Sequence, residues 1–476
     1  MRRIILTFLA TAACWGLLGQ NNMRVSEQHA RTAPEWLEQG IMYQVQPRAF
    51  TPEGTLPAAT KKLKKVAELG ATIVYLCPVF VADDNNDQRT WSPRQKTSKM
   101  NNPRNPYRIM DYYHVDAEYG TDDDLKEFVQ ESHRLGLRVM LDMVYYHCGA
   151  NAVFLKDHPD FIVRDENGNS ITGGWNWPKL NYENPDLREY LFKNMEYWVK
   201  DFDVDGFRCD VASGVPLDFW ETARTRLEKI RPDIGMLAEA HENSRPEDQL
   251  KAFDAGYGFE YFNALKNVVN GKNPVSHLRD TWNEITEMCP QGSRFIRYFD
   301  NHDISNDDWH NRREKDWGFD ACNALFVHLF TLNGIPFIYN GQEIADTARH
   351  SIFGKAPIAW DRANTYAGQA RFSLLKNLCD LRKDEKALTE GDLIWLENDH
   401  PQSVLSYLRK EDDREILIIV NLSNYPVSLK INSFDYIQNR TFKPIVEKGI
   451  VSENIQEGFT VNSYGYWVAK SVASSK

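Results

Sequence analysis

The 476-residue sequence has no internal repeat, no low-complexity tract and no block of like charges, although its formal net charge is −11. Without a concentrated basic face it has no means of gripping phosphates, so nucleic acid is not an expected partner. Cysteine is sparse, and no two cysteines form a C-x-x-C pair. Cys77, Cys148, Cys209, Cys289, Cys322 and Cys379 are scattered, which argues against a disulfide framework or a zinc site and for buried thiols. Long apolar runs are also missing. The longest, Ile4 to Leu18, is broken by Thr and Gly and is too short and impure to span a membrane. Following Arg2 and Arg3, it has the form of a secretory leader, with residues 1–19 as the signal peptide. An alternative reading is a lipoprotein anchored at Cys14, in Thr11-Ala12-Ala13-Cys14. The expected location is outside the cytoplasm, periplasmic or secreted, with no integral membrane span.

What the chain does have is a core and many flat side chains. It is 42% hydrophobic and 12% aromatic, with 13 Trp and 21 Tyr, which is enough for a large core and suits a site that stacks on sugar faces. Apolar runs of strand length alternate with helical segments. Strands are expected at Ile41 to Gln46, Ala71 to Cys77, Leu137 to Val144, Val204 to Arg208, Gly235 to Ala238, Arg294 to Phe299 and Ile335 to Asn340, with a weaker one near Ala252 to Tyr257. Ala58 to Leu69 reads as a helix stopped by Gly70, and Thr121 as the cap of a helix with acids in its first turn. This alternation predicts a (β/α)8 barrel over residues 38–386, with parallel strands inside and helices outside.

Two stretches interrupt it. Residues 149–185, after the third strand, carry Gly, Asn, Pro and Trp without helical period and read as an insert walling a cleft. Residues 79–106 read as a long polar loop, the kind that is functional in compact domains. From residue 387 to 476 the pattern turns to strands separated by turn residues, an antiparallel β-sandwich domain. Its expected strands are Ser403 to Arg409, Glu415 to Leu422, Val427 to Ile431 and Tyr464 to Val468.

Four short segments carry the chemistry. They are Asp142-Met143-Val144-Tyr145-Tyr146-His147, Gly206-Phe207-Arg208-Cys209-Asp210-Val211-Ala212, Leu237-Ala238-Glu239 and Phe299-Asp300-Asn301-His302-Asp303. Each follows a strand, and strand C-terminal ends are where a barrel of this kind keeps its catalytic groups. Glycosidic cleavage needs two carboxyl groups flanking the anomeric carbon, about 5 Å apart in retaining enzymes. Asp210 and Glu239 end successive strands, which suits that separation. Arg208, two residues before Asp210, points the same way and would hold it ionised. Glu239 sits between Ala238 and Ala240, a setting that would raise its pKa for acid duty. His302 and Asp303 can bind hydroxyls and stabilise positive charge. Taken alone, an Arg–Asp pair on a strand, a strand-end histidine or an Asp-Asn-His-Asp turn would each be structural. Their co-occurrence in this order is what points to catalysis.

With these four segments the chain resembles the α-amylase superfamily, glycoside hydrolase family 13, over nearly all of its length. The resemblance implies Asp210 as nucleophile, Glu239 as acid/base and Asp303 as transition-state stabiliser. It also implies His147, Arg208 and His302 as sugar-site partners, Asp142 as their support, and Tyr107 as the ring under the sugar at the cleavage point. Residues 149–185 then correspond to domain B and the terminal module to domain C. Within the family, Trp177-Pro178-Lys179-Leu180-Asn181 resembles the insert motif of neopullulanases and cyclomaltodextrinases, and less closely that of oligo-1,6-glucosidases. Trp175 and Trp177 are candidate sugar platforms.

Two departures stand out. Tyr146 occupies the usual calcium-ligand position and lacks a suitable oxygen for a hard cation, and Ser213-Gly214 replaces a Lys-His pair. No cofactor is therefore expected to be required, and calcium stays as the alternative. The implied activity is hydrolysis of α-glucosidic bonds in malto-oligosaccharides or related α-glucans through a covalent glycosyl-enzyme. The alternatives are a transglycosylase or isomerase resembling trehalose synthase, and a non-catalytic carbohydrate-binding protein on the same fold.

Overall fold

The computed structural model describes residues 23–304, 312–438, 440–454 and 458–472. The leader expected at 1–19, with Cys14, lies outside the described residues. In chain order the first ten strands are β1 (Met42–Val45), β2 (Ile73–Leu76), β3 (Phe80–Ala82), β4 (Ile109–Val115), β5 (Arg138–Met143), β6 (Gly206–Cys209), β7 (Gly235–Ala238), β8 (Ala255–Gly256), β9 (Ile296–Arg297) and β10 (Ile335–Tyr339). Eight of them form one sheet in the order β8-β7-β6-β5-β2-β1-β10-β9, with every pair parallel. A parallel bridge between Gly256 and Phe295 joins the two edges, so the sheet closes into the expected barrel.

The period-2 alternation of a strand sets the interior. Met42, Ile73, Tyr75, Met140, Leu237, Ala255, Ile296, Ile335 and Phe337 form one buried cluster inside the barrel. Continuing the same inward phase to the strand ends places Gln44, Asp142, Arg208 and Glu239 at the top of that interior. Two inward positions are glycines because a backbone crowds one and a tryptophan ring the other. A Cβ on Gly206 would stand 2.5 Å from the Gly235 carbonyl oxygen, and one on Gly235 would stand 2.7 Å from the Trp36 ring. Trp36 belongs to the short helix Glu35–Glu38, which packs against the floor of the barrel beside Leu37.

The helices take the outside. Leu56–Leu69 buries Leu56, Leu63, Val66 and Leu69 along one stripe and ends at Gly70, whose φ of 101° makes it the left-handed stop. Asp122–Arg134 begins with a reciprocal cap between Thr121 and Asp124. Pro185–Phe202 begins at Asn184, whose side chain accepts from the Asp186 and Leu187 amides. All six described cysteines are buried and free.

Residues 79–106 are more ordered than a polar loop. β3 and β4 pair antiparallel and bracket a hairpin-like excursion, which holds a 3-10 turn at Gln88–Thr90 and a helix at Pro93–Thr97 capped by Ser92. The insert after β5 is held by isolated bridges, His147 to Lys179, Ile162 to Leu180 and Thr172 to Pro178, rather than by long strands.

After the helix Tyr366–Asp384 the chain forms β11 (Asp392–Trp395), β12 (Val404–Glu411), β13 (Arg414–Asn421), β14 (Val427–Leu429), β15 (Thr441–Asn454) and β16 (Gly458–Val472). All are antiparallel, and β16 is the spine: β15 runs along one edge, β13 and β14 share the other. The strands are thus joined in one continuous sheet. Two of them, β11 and β15, go beyond the four expected. β15 is hard to read because Pro444, Gly449 and three register shifts break its alternation. β13 is buried on both faces. Leu417 and Ile419 enter the module's own core with Val461, Trp467 and Ala469, while Ile416, Ile418 and Val420 join the main core shared with the barrel.

Candidate active site

The C-terminal ends of the barrel strands open into a cleft with three walls. Ser92, Arg94 and Asn105 come from the 79–106 excursion, Trp175 and Trp177 from the insert, and Ile352 and Phe353 from the segment after β10. Asp210, Glu239, Asp303, Tyr107 and His147 all reach this cleft. The structure brings together all eight expected residues, since Asp142, Arg208 and His302 bond directly to members of that group.

Arg208 is the hub. It is fully buried, and one guanidinium nitrogen lies 2.6 Å from Asp142 Oδ1 and 2.8 Å from Asp210 Oδ1, while the other lies 3.0 Å from Glu239 Oε2. The cation is therefore shared among three carboxylates rather than dedicated to Asp210. Burial raises the pKa of Asp210 well above its ordinary value and also raises that of Glu239. The neighbouring carboxylates add to both shifts, and Arg208 opposes them. Burial and like charge act in the same direction on both carboxyls, the kind of environment in which one acid and one base are set apart.

Glu239 is aimed by the backbone. Its Oε2 accepts from the Val211 amide at 2.7 Å, and Val211 sits in the left-handed region at φ 43°, ψ 44°. A β-branched residue there is strained, and strain of this kind persists where surrounding structure fixes it.

Asp142 is sealed beneath the cleft. Its Oδ2 accepts from the hydroxyls of Tyr75 at 2.7 Å and Tyr107 at 2.8 Å. Tyr107 stacks on His302 at 5.4 Å between centroids and 16° between planes, and its hydroxyl lies 2.7 Å from His302 Nε2. The other ring nitrogen settles the tautomer. Gln44 Oε1 accepts from the His302 amide, which leaves Gln44 Nε2 to donate to Nδ1. His302 then carries its proton on Nε2, donates to the Tyr107 oxygen, and Tyr107 donates to Asp142. Burial lowers the His302 pKa, so the ring is neutral at pH 7.

Asp303 is gripped from the 79–106 side. Arg94 donates to its Oδ1 at 2.9 Å and to its carbonyl oxygen at 3.2 Å. Burial works against ionisation, but His302 and Arg94 bring the Asp303 carboxyl below the ordinary range. Arg208 adds to the same effect.

His147 is buried and donates through Nε2 to the Tyr107 carbonyl at 2.9 Å, and burial pushes its pKa down to about 4. Its ring lies against Trp177 at 4.6 Å and Trp175 at 5.5 Å, so it ties the insert to the β5 end. Arg94, Gln44 and Tyr75 belong to the site but carry no motif, and Val211 lies in the segment that holds Arg208 and Asp210 without being singled out there. Gln44 and Tyr75 could have been found from the inward phase of β1 and β2. Arg94 could not, because only the tertiary path of its excursion brings it to Asp303.

Among the described residues no group of three or more His, Cys, Asp or Glu is placed to hold a metal ion. The position expected for a calcium ligand does not fit one. The Tyr146 ring packs so tightly on Gly214 that a Cβ there would stand 2.6 Å from its Cδ2, and Lys179 lies 5.6 Å over the same ring.

A parallel barrel with two buried carboxyls at its C-terminal face and aromatic cleft walls fits a glycoside hydrolase. Residues 23–166 and 175–389 match the family described as alpha amylase, catalytic domain, and residues 393–468 match the maltogenic amylase C-terminal domain. The chain belongs to the α-amylase family, whose members cleave α-glucosidic bonds. It is 25% identical to the intracellular maltogenic amylase of Bacillus subtilis (strain 168) over 87% of this chain and 74% of that protein. It is 26% identical to a cyclomaltodextrinase of Geobacillus thermopakistaniensis over 82% of this chain and 70% of that one. A noncanonic maltogenic α-amylase from Thermotoga neapolitana superposes with a TM-score of 0.78 at 28% identity, covering 92% of this chain and 99% of the other. No helix among the described residues is long and apolar enough to cross a membrane.

Proposed function

We propose that the chain hydrolyses α-1,4 bonds of malto-oligosaccharides and cyclomaltodextrins with retention of configuration. The observation that carries this reading is one guanidinium spanning both Asp210 and Glu239, which fits the about 5 Å spacing of a retaining pair. Asp210 attacks the anomeric carbon as Glu239 passes its proton to the leaving oxygen, giving a glycosyl-enzyme ester. Glu239, now a carboxylate, takes a proton from water, which displaces Asp210 and releases an α-configured product. Asp303 faces the same cleft as a fixed negative charge for the oxocarbenium-like transition state, and Arg208 limits repulsion among the carboxylates.

The substrate class is supported by the names of the maltogenic amylase and cyclomaltodextrinase relatives and by Trp175 and Trp177 on the cleft wall. The test is maltoheptaose and a cyclomaltodextrin incubated with the protein and followed by proton NMR. Early α-anomeric products from both support the reading, and β-anomers or no turnover of either sink it. Asp210→Asn should abolish turnover.

The activity needs no calcium in this reading. It is supported by Tyr146 and Gly214, whose ring-on-backbone packing joins the insert end of β5 to the loop after β6 where a metal would otherwise tie them. Dialysis against EDTA should leave activity and melting temperature unchanged; a fall that calcium restores overturns this. The leader, Arg2-Arg3 ahead of Ile4 to Leu18, supports export, in contrast to the name of the Bacillus subtilis relative. Fractionation and N-terminal sequencing of the native protein test it, with Gln20 as the expected first residue. A cytoplasmic protein that keeps its leader refutes export.

A further inference from the structure

The rim of the cleft is fastened unevenly. The 79–106 excursion and the segment after β10 are bound firmly together. Buried Arg48 donates to the Arg104 and Ile352 carbonyls, and Asn102 Nδ2 donates to the Phe353 carbonyl at 3.1 Å.

The insert meets the same excursion through a small turn. Residues 173–176 (Gly-Gly-Trp-Asn) close with the Asn176 amide donating to the Gly173 carbonyl at 3.1 Å, and Asn176 sits in the left-handed region at φ 65°. Its side-chain Nδ2 donates across the gap to the Trp91 carbonyl at 3.3 Å. A Cβ on Gly174 would meet nothing within 4 Å, so the tip of the turn is unpacked. Trp175 rides on this turn and lines the cleft. Residues 167–174 also fall between the two stretches that match the family.

Topology fixes which part of a substrate the turn faces. The insert, the excursion and the segment after β10 follow β5, β2 and β10, so with β1 between them they stand over four consecutive strands of the closed barrel. Glu239 ends β7, which lies across the mouth from β1. In the proposed reaction Glu239 protonates the leaving oxygen, so the leaving chain lies on its side and the glycosyl part lies towards the walls. The cleft is small, about 70 Å3, where ligand sites usually run to about 300 Å3 or more. That suits a chain end better than a chain passing through. A malto-oligosaccharide can seat its non-reducing end there with the turn shut. A cyclomaltodextrin has no end, so its ring continues past the glycosyl unit and the turn has to lift. Gly173 and Gly174 give the backbone the freedom to do so.

We propose that Asn176 is a specificity-determining residue: its bond to Trp91 holds the 173–176 turn, with Trp175, over the glycosyl side and favours a free chain end over a cyclic glucan. This role rests on the hydrolysis proposed above.

The test is the ratio of kcat/KM for a cyclomaltodextrin to kcat/KM for maltotriose. Asn176→Gly keeps the left-handed backbone and removes the donor, and Asn176→Asp keeps it and sets a carboxylate against the Trp91 carbonyl. A neutral hydrogen bond is worth about fivefold, so the ratio should rise about fivefold or more in both variants. A second measurement leaves Asn176 in place. In the Asp210→Asn protein, a cyclomaltodextrin should speed hydrogen exchange of peptides within 170–178 about twofold or more, and maltotriose should slow it as much. This arm decides where a variant folds poorly. A ratio within about twofold of the parent in either folded variant, or the same exchange response to both sugars, overturns the role and leaves the hydrolase reading standing. A parent protein that turns over neither sugar sinks that reading and this role with it.

Discussion

Replacing Arg208 by Met removes the one cation that three buried carboxylates share. Asp142, Asp210 and Glu239 lie 2.6, 2.8 and 3.0 Å from its nitrogens. Breaking a buried pair by deleting one partner costs about 3–5 kcal/mol, because the charge left behind is uncompensated. Here the cost is limited by protonation, since the abandoned carboxyls can take up protons instead. Their folded-state pKa values then rise further above the unfolded values, and the folded state binds more protons than the unfolded one. Stability therefore falls as pH rises through the raised folded values, and is regained below the ordinary carboxylate range, where both states are protonated. Denaturant unfolding at pH 5 and pH 8 checks this: the deficit of the variant should be clearly larger at pH 8. At pH 7 its kcat/KM should fall at least about 100-fold, because Asp210, the proposed nucleophile, would be held protonated and a buried electrostatic contact is lost. An equal deficit at both pH values, or activity within about tenfold of the parent, would refute the hub assignment.

Arg94→Ala should raise the Asp303 pKa towards the ordinary value, which carbon-13 NMR titration of the Asp303 carboxyl checks; an unmoved titration separates Arg94 from that carboxyl. Tyr107→Phe removes both the donor to Asp142 and the acceptor for His302, and should cost about 1–3 kcal/mol in denaturant unfolding, whereas a cost under about 0.5 kcal/mol would contradict the relay. Gly214→Ala sets a Cβ against the Tyr146 ring and should lower stability by about 1–3 kcal/mol, with Tyr146→Ala in the same chain recovering part of it; no recovery means the ring is not the obstacle.

The barrel was legible because its strands are short, buried and separated by helices with ordinary start and stop residues. Gly235–Ala238 is an example: its bounds follow directly from a run that ends at a charged residue. The eight candidate residues were legible because they cluster just past such strands. What escaped reading depends on long-range packing. Arg94 lies more than 200 residues from Asp303, in a stretch whose polar composition hides one strand and a helix. The strain at Val211 was equally invisible, since nothing local requires φ above zero there; the need to present an amide to Glu239 does. Sequence reasoning also assigned Arg208 to Asp210 alone, because strand geometry brings those two together. Only the neighbouring strands β5 and β7 bring in Asp142 and Glu239.

The sealed faces of β13 bear on how the protein is held together. The helix Phe319–Thr331 is buried on every side from Ala321 onward, an apolar cylinder with no water-facing stripe. On its outer side, the Tyr407 hydroxyl of β12 lies within hydrogen-bond distance of His328 Nδ1 and Thr331 Oγ1, and Arg409 donates to the Thr331 carbonyl. The terminal sheet thus serves as the coat of a barrel helix, not as an appendage hung from it. A chain cut after Thr389 would show solvent a greasy helix and two orphaned polar groups. It would clump rather than work, and the intact protein should melt in one step.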